Sequence, residues 1–331
     1  MKKKILITGI TGFVGSHMAD YLLSLDDNFE IYGLKRWHLS KLDFIYPILD
    51  KISLYDCDIT DPVSTLKTIS KINPDIIFHC AAESFVSPSW DHPHRYMSVN
   101  YQGTVNILEA LKNIDSKAYI HLPGSGEEYG KIYENEIPIT ELTTLRPVNP
   151  YAVSKVAQDL IGYVYNQSYG LNVIRTRAFN HEGPRRQFVF GIPSYAYQIA
   201  KIEKGLQEPI IKVGRINDRR NFTHVKDMVE AYYLSIKNCK PGELYLIGNE
   251  DPKSVFTFKE ALEILISMST TKSIEYTEHK PFVRPTDVPR LIADVKKFQD
   301  VTDWTPKISF TKILEDTLNY WREQISINPK L

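Results

Sequence analysis

The chain has 331 residues, of which 43% are apolar, 24% charged and 11% aromatic, enough to bury one large α/β core or two lobes. Forty basic residues against 40 acidic leave a formal net charge of zero, which excludes a polyanion-binding surface and with it a nucleic-acid partner. Three widely spaced cysteines, Cys57, Cys80 and Cys239, fit neither a disulfide framework nor a zinc site, so no metal is expected. Only Ile5 to Ile7 follow the basic start before Thr8-Gly9, so a secretory signal is not expected. No apolar run reaches membrane-spanning length, and the expected location is cytoplasmic.

Lys4 to Thr8 reads as a short buried strand, apolar at Ile5, Leu6 and Ile7. A turn punctuated by Gly9, Gly12 and Gly15, with Thr11, Phe13 and Val14 between, then opens an amphipathic helix carrying Met18, Leu22 and Leu23 on one face. A dinucleotide requires this order. The first glycine permits the tight turn, the second lets backbone approach a pyrophosphate, and the third lets helix and strand pack closely. The phosphates would sit on the positive end of the helix.

A second strand, Glu30 to Leu34, ends at Lys35-Arg36-Trp37, with no acid until Asp43. An NAD site usually places an acidic residue here, whereas an arginine accommodates a 2′-phosphate. Arg36 therefore points to NADP, with NAD as the alternative. Ile52 to Tyr55 is a third strand, and Thr60 or Asp61 can cap a helix through Ile69. The fourth strand, Asp75 to His79, runs into Cys80-Ala81-Ala82-Glu83-Ser84, where small residues let a ligand approach the backbone. A helix from about Tyr96 to Leu111 precedes the fifth strand, Ala118 to Leu122, which leads into Pro123-Gly124-Ser125-Gly126-Glu127-Glu128-Tyr129-Gly130.

Pro150 suits the first turn of a helix to about Tyr165, on which Tyr151 and Lys155 share a face. A sixth strand, Asn172 to Arg177, is followed by Ala178-Phe179-Asn180-His181-Glu182-Gly183-Pro184-Arg185-Arg186. Beyond Phe188 the reading is a strand at Ile210 to Val213, a charged loop from Arg215 to Asn221, and helices at Val225–Ile236, Phe256–Ser267 and Ile313–Arg322. Leu244 to Ile247 is extended, and Tyr245 to Ile247 and Val213 are candidates to extend the sheet. Apolar strands alternating with helices imply a doubly wound parallel sheet of Rossmann-like α/β class, with ligands at the strands' carboxyl ends. Residues 1–180 form the expected dinucleotide-binding domain, with segments from about 210–250 returning to it. Residues 181–331 are mainly a smaller, interleaved substrate-binding lobe.

Ser125, Tyr151 and Lys155 are the candidate catalytic set. A phenol with an ordinary pKa of about 10 is a poor base at neutral pH, and a lysine one helical turn away favours the phenolate and should lower that value. A serine at the end of the neighbouring strand can hold a substrate hydroxyl against the phenol. Such a set moves a proton while hydride leaves or joins the same carbon. The widely spaced His79, His121 and His181 match no metal-ligand pattern and read as packed or hydrogen-bonded core residues.

Together, Thr8-Gly9-Ile10-Thr11-Gly12-Phe13-Val14-Gly15, His79-Cys80-Ala81-Ala82 and Tyr151-x-x-x-Lys155 resemble the extended short-chain dehydrogenase/reductases that act on nucleotide sugars. The Arg177–Arg186 run, Arg219-Arg220-Asn221-Phe222 and the Arg284–Asp294 segment are similar to GDP-mannose 4,6-dehydratases. Gly124–Gly130 and Gln207–Gly214 resemble the related GDP-4-keto-6-deoxy-mannose reductases equally well. The resemblance implies that Ser125 stands in for a catalytic threonine and that Glu127 is the glutamate that moves the C5 proton and helps water leave C6. Gly126 replaces a serine of that motif. It implies further that Tyr151 and Lys155 also touch the cofactor, that Asp58 and Ile59 flank its adenine, and that Arg36 meets the 2′-phosphate. Ser84 and Asn180 would contact substrate, and Arg220 and Arg284 would hold a diphosphate. A GDP-sugar substrate and a homodimer or homotetramer, with a four-helix contact, follow from the same likeness. The main reading is a dehydratase; the alternatives are an NADPH-consuming reductase, for which Glu127 is a bystander, and a sugar-nucleotide epimerase or C4 dehydrogenase. A cofactor-binding sensor has no need of Ser125, Tyr151 and Lys155 together.

Overall fold

Short apolar runs separated by helical periods can bury both faces only inside a helix-covered sheet, and that is how the chain folds. The structure, a computed structural model, describes residues 2–25, 29–249, 251, 254–286, 288 and 290–330. The first half runs β1 (Lys3–Thr8), α1 (Phe13–Ser24), β2 (Phe29–Lys35), β3 (Ser53–Asp56), α2 (Pro62–Ile72), β4 (Ile76–His79), α3 (Pro93–Tyr96), α4 (Gly103–Asn113), β5 (Tyr119–Ser125), α5 (Pro150–Tyr169) and β6 (Asn172–Ala178). The second half runs β7 (His181–Glu182), α6 (Gly191–Glu203), β8 (Ile210–Val213), β9 (Arg219–Asn221), β10 (Thr223–His224), α7 (Val225–Asn238) and β11 (Leu244–Ile247), then β12 (Val255–Thr257), α8 (Phe258–Ser267), β13 (Glu275–Glu278), β14 (Arg290–Leu291), α9 (Lys296–Thr302) and α10 (Phe310–Ile327).

Seven strands form the central sheet in the order β11-β6-β5-β4-β1-β2-β3, each pair parallel. The order reverses between β1 and β4, which opens a crevice at their carboxyl ends. Alternation along β1 feeds two cores. Ile5 and Ile7 pack with Met18 and Leu22 of α1 and Met228 and Tyr232 of α7, while Leu6 packs on the other face with Ile69, Ile107 and Leu111. A third core, built from Ile199 of α6, Leu262 of α8 and Leu314 and Trp321 of α10, holds the smaller lobe.

Several boundaries differ from expectation, each for a local reason. Leu244–Ile247 joins the sheet beside β6, but Ile210–Val213 pairs with Glu275–Glu278 in a separate two-stranded ribbon. The charged stretch 215–221 is not all loop, because Arg219–Asn221 is a strand between β12 and β14. Residues 255–257 are extended, not helical: Thr257 is the N-cap of α8, its hydroxyl accepting the Glu260 N–H at 3.0 Å. The helix expected over 96–111 is broken by a π turn at Met97–Gln102, a feature often found beside functional sites. Asp61, not Thr60, caps α2. β5 runs to Ser125, in register with Ala178, so the serine is the strand's last residue. Among the described residues no helix is long and apolar enough to cross a membrane.

Candidate active site

The turn after β1 is shaped by steric necessity. Gly9 has φ +65°, and a Cβ there would stand 2.8 Å from the Ala81 backbone; one on Gly15 would run into the Gly9 carbonyl. Gly12 is the N-cap of α1, with no side-chain cap, so the first N–H groups of the helix are left to an incoming group. A cleft of about 1400 Å³ extends from here, lined by Gly9, Thr11, Gly12, Arg36, Asp58, Ile59, Ala81 and Ala82, and continues to Pro184–Val189 and Tyr320. Its size and glycine cradle fit a dinucleotide. Phe13, Val14 and Gly15 open the helix behind the turn; the Phe13 ring lies flat against His181, with centroids 6.0 Å apart.

Lys35 is tied to Asp56 across β2 and β3, while Arg36 is exposed at the cleft wall. Asp58 accepts from the Thr60 N–H and hydroxyl at 3.0 and 2.8 Å. Its carboxyl lies below its ordinary range: burial acts upward, but the Thr60 bonds and the charges of Arg36 and Arg95 outweigh it.

Ser125, Glu127, Tyr151 and Lys155 converge where β5 meets α5. Asn149 caps α5, its side chain accepting the Ala152 N–H at 2.7 Å, and Pro150 occupies the first turn. The same Asn149 donates from Nδ2 to Glu127 Oε2 at 3.2 Å. The Ser125 hydroxyl accepts the Glu127 N–H at 3.2 Å and lies near enough to Tyr151 to act on its phenol.

The expected effect of Lys155 on the phenol is not what the geometry gives. Burial pushes Tyr151 up to about 12; the Ser125 hydroxyl acts downward, and the charge of Glu127 acts upward. The Lys155 ammonium donates instead to the Pro123 carbonyl at 2.5 Å and to Gln158 Oε1. Burial lowers Lys155 to about 8 against the upward pull of Glu128 and Asp159. Glu128 does not face solvent. It is fully buried and paired with Arg177.

The candidate substrate residues lie outside the cleft wall. Ser84 is exposed beyond β4. The Asn180 carbonyl accepts the Thr223 N–H at 3.0 Å, which ties the end of β6 to the strand following Arg220. Arg220 is 3% exposed and donates to the Arg219 carbonyl. Arg284 is half-buried, and the neighbouring Thr286 hydroxyl donates to the Val148 carbonyl at 2.8 Å, which brings this segment to the start of α5. Asp287 and Pro289 of the Arg284–Asp294 segment lie outside the described residues.

His79 bonds Thr8 and Thr104, His121 bonds Thr176, and His181 meets the Phe179 carbonyl. Burial holds the first two near 3 and the third near 4, so all three are neutral. Cys80, just after β4, lines the cleft.

Three residues of the site were not found by sequence reasoning. Asn149 carried a findable signal, an N-cap residue before proline, although its bond to Glu127 did not. Arg186, paired with Glu182 at 3.1 Å, lies 5.1 Å from the Phe13 ring and 3.9 Å from the Phe190 ring, and its charge reaches Tyr151. Glu128 carried a findable signal in the Ser125-x-x-Glu128 capping spacing, although its partner Arg177, 49 positions away, did not.

The family model described as GDP-mannose 4,6 dehydratase matches residues 6–317. The GDP-6-deoxy-D-mannose reductase of Pseudomonas aeruginosa is 28% identical, over 98% of this chain and 99% of that protein. The GDP-mannose 4,6-dehydratase of Yersinia enterocolitica is 30% identical, over 93% of this chain and 90% of that protein. The solved structure of RMD from Pseudomonas aeruginosa complexed with NADPH superposes with a TM-score of 0.84 at 28% identity, covering 98% of this chain and 100% of that one.

Proposed function

The chain belongs to the GDP-mannose 4,6-dehydratase family, and we propose that it is itself a GDP-mannose 4,6-dehydratase using NADP. The carrying observation is Glu127: its carboxylate is oriented by Asn149 at 3.2 Å on the turn that also presents Ser125 to Tyr151. A dehydratase needs a second acid–base group beside the one that serves alcohol oxidation, and Glu127 is the acid in that position.

In this reading Tyr151 takes the proton of the sugar's C4 hydroxyl, which Ser125 holds in line; because burial holds the phenol high, its phenolate would have to be favoured by the positive charge of the oxidised nicotinamide. The C4 ketone that results makes the C5 hydrogen acidic. Glu127 then removes the C5 proton and delivers it to the C6 hydroxyl, which leaves as water. Tyr151 and Ser125 keep the C4 oxygen in place, and the proton Tyr151 took from the C4 hydroxyl returns to the sugar at C5 when hydride is added at C6. Bound NADP supplies the hydride acceptor for C4 and the donor for C6, so no external reductant is consumed. Its 2′-phosphate would meet Arg36, its pyrophosphate the Gly9–Gly15 turn, and its adenine Asp58 and Ile59. Lys155 would supply positive charge near the nicotinamide end. Ser84 and Asn180 are proposed to touch the sugar, and Arg220 and Arg284 the diphosphate. The outer face of α5, where Val153, Leu160, Val164 and Tyr169 are exposed, supports assembly as a homodimer or homotetramer.

A second reading, an NADPH-dependent reductase of the 4-keto-6-deoxy sugar, is favoured by the full-length likeness to the Pseudomonas reductase. The two part cleanly in one experiment. Purified protein is incubated with GDP-mannose and NADP without added reductant, and the sugar is followed by NMR. Formation of a 4-keto-6-deoxy product is expected. No conversion, with NADPH consumed on the 4-keto-6-deoxy sugar, would establish the reductase instead. Glu127→Gln should abolish water loss while C4 oxidation partly survives; equal loss of both steps would remove Glu127 from this role.

A further inference from the structure

Behind the catalytic turn runs a chain of charged side chains that the reaction above does not use. Glu128 is 0% exposed. Its Oε1 accepts the Ser125 N–H at 2.7 Å, and its Oε2 faces Arg177 Nε at 2.9 Å. Arg177 also donates from Nη2 to Asp159 Oδ2 at 2.5 Å. The other Asp159 oxygen accepts from Arg175 Nη1 at 2.9 Å, and Arg175 continues to the Gly242 carbonyl at 3.0 Å. The chain thus starts at the backbone of Ser125, passes through β6 and α5, and ends at the loop before β11.

Such an arrangement is a poor way to gain stability. Two buried carboxylates and two buried guanidiniums lose their hydration, and their mutual attraction roughly repays that loss without exceeding it. What the chain does fix is position. Glu128 and Ser125 form a reciprocal cap: the serine hydroxyl takes the Glu127 N–H while the Glu128 carboxylate takes the serine's own N–H. Ser125 and Glu127 are the two groups on which the proposed chemistry rests, and both are anchored here. The neighbouring sequence is consistent with this need. A Cβ at Gly124 would run into Glu128 Oε1 and stand 2.8 Å from the Thr176 carbonyl, so glycine at 124 makes room for the buried carboxylate.

The same carboxylate sets the electrostatics around Lys155. The groups facing that ammonium are Glu128 on the turn, Asp159 on its own helix, Cys80 and His79 at the end of β4, and His121 on β5. Tyr232 of α7 packs at a tilt against His121, with ring centroids 4.4 Å apart, and Arg177 of β6 lies beyond Glu128. Burial keeps the thiol and the phenol protonated and both imidazoles neutral. The negative charge opposite Lys155 therefore comes from Glu128 and Asp159.

We propose that Glu128 is a positioning residue of the active site: clamped by Arg177, it holds Ser125 and Glu127 in their working places, with its charge directed toward the Lys155 side of the site. This rests on the acid–base roles given above to Ser125, Tyr151 and Lys155, which the dehydratase and the reductase share.

The test uses the NADP-bound enzyme and its own turnover assay, with Glu128→Gln and Glu128→Asp compared with the parent. Glu128→Gln removes the charge, so Lys155 should lose its proton more easily. Activity that depends on the ammonium is present below its pKa and lost above it, so the alkaline limb of the kcat profile should move to lower pH. A fall in kcat of tenfold or more, with KM for the sugar nucleotide changed less than threefold, should accompany it. Glu128→Asp keeps the charge but is one carbon too short to reach Ser125, so kcat should fall with the alkaline limb unmoved. NADP titration and thermal melting report the folded fraction. If both variants lose activity only in step with folded protein, or keep the parental kcat and pH profile, the proposal is overturned. A parent without turnover on either GDP-sugar would instead count against the function proposed above, leaving the NADP titration and melting data unaffected.

Discussion

The dinucleotide turn after β1 and the catalytic turn after β5 stand at the same edge of one sheet, yet they are built from opposite materials. The first is nearly all backbone: Gly9, Gly12 and Gly15 bring main chain close to main chain, and the first turn of α1 carries no acidic residue and no side-chain cap. The second is nearly all side chain, with Ser125, Glu127, Glu128, Asn149, Tyr151, Lys155 and Arg177 drawn from β5, its turn, α5 and β6. A site that offers N–H groups to a pyrophosphate needs the absence of Cβ atoms. A site that moves protons needs groups of opposing charge at fixed distances in a dry place. The first should be sensitive to added bulk and indifferent to charge, and the second the reverse.

The largest effect should follow from removing one oxygen at the catalytic turn. Tyr151→Phe deletes the proton-transfer group without changing shape, and kcat should fall by roughly 10²–10⁴-fold. NADP titration should be nearly unchanged; a comparable loss of cofactor affinity would show that the two turns are not separable. At the dinucleotide turn, Gly15→Ala adds one methyl within a helix. Propensity alone would favour alanine by about 0.5–1 kcal/mol, but the Gly9 carbonyl it meets is backbone and cannot rotate away. Overpacking of this kind costs about 1–3 kcal/mol, so a net loss is expected in denaturant melts together with weaker NADP binding. A more stable variant would mean that the turn yields. The smallest effect concerns Arg36, the charged side chain assigned to the 2′-phosphate. Arg36→Ala should weaken NADP about tenfold, or about 1.4 kcal/mol, and leave NAD binding and folding unchanged. Equal weakening of both cofactors would show that Arg36 does not meet a 2′-phosphate.

Legibility divides along the same line. The glycine turn could be read because all its parts fall within eight consecutive residues, and steric demands at such spacing have few solutions. Tyr151 and Lys155 could be read as a pair because one helical turn separates them. Three errors came from contacts across elements. The phenol was expected to be lowered by its neighbour on the helix, but burial against Tyr96 and α5 dominates and the ammonium turns to Pro123. Glu128 was given no role, because nothing near it in the chain announces Arg177. Ile210–Val213 was offered to the main sheet on its apolar pattern alone, and the partner that claims it, Glu275–Glu278, is exposed and charged.

The sequence by itself determined the parallel sheet, the cofactor edge and the candidate proton-transfer pair, since strand and helix periods and backbone sterics act over a few residues and are written locally. Only the tertiary structure decided the electrostatics of the site: which carboxylate is dry, which guanidinium answers it, and where the ammonium points. Desolvation and charge pairing depend on what the whole chain packs around a group, and in this protein that surrounding comes from strands and helices tens of residues apart.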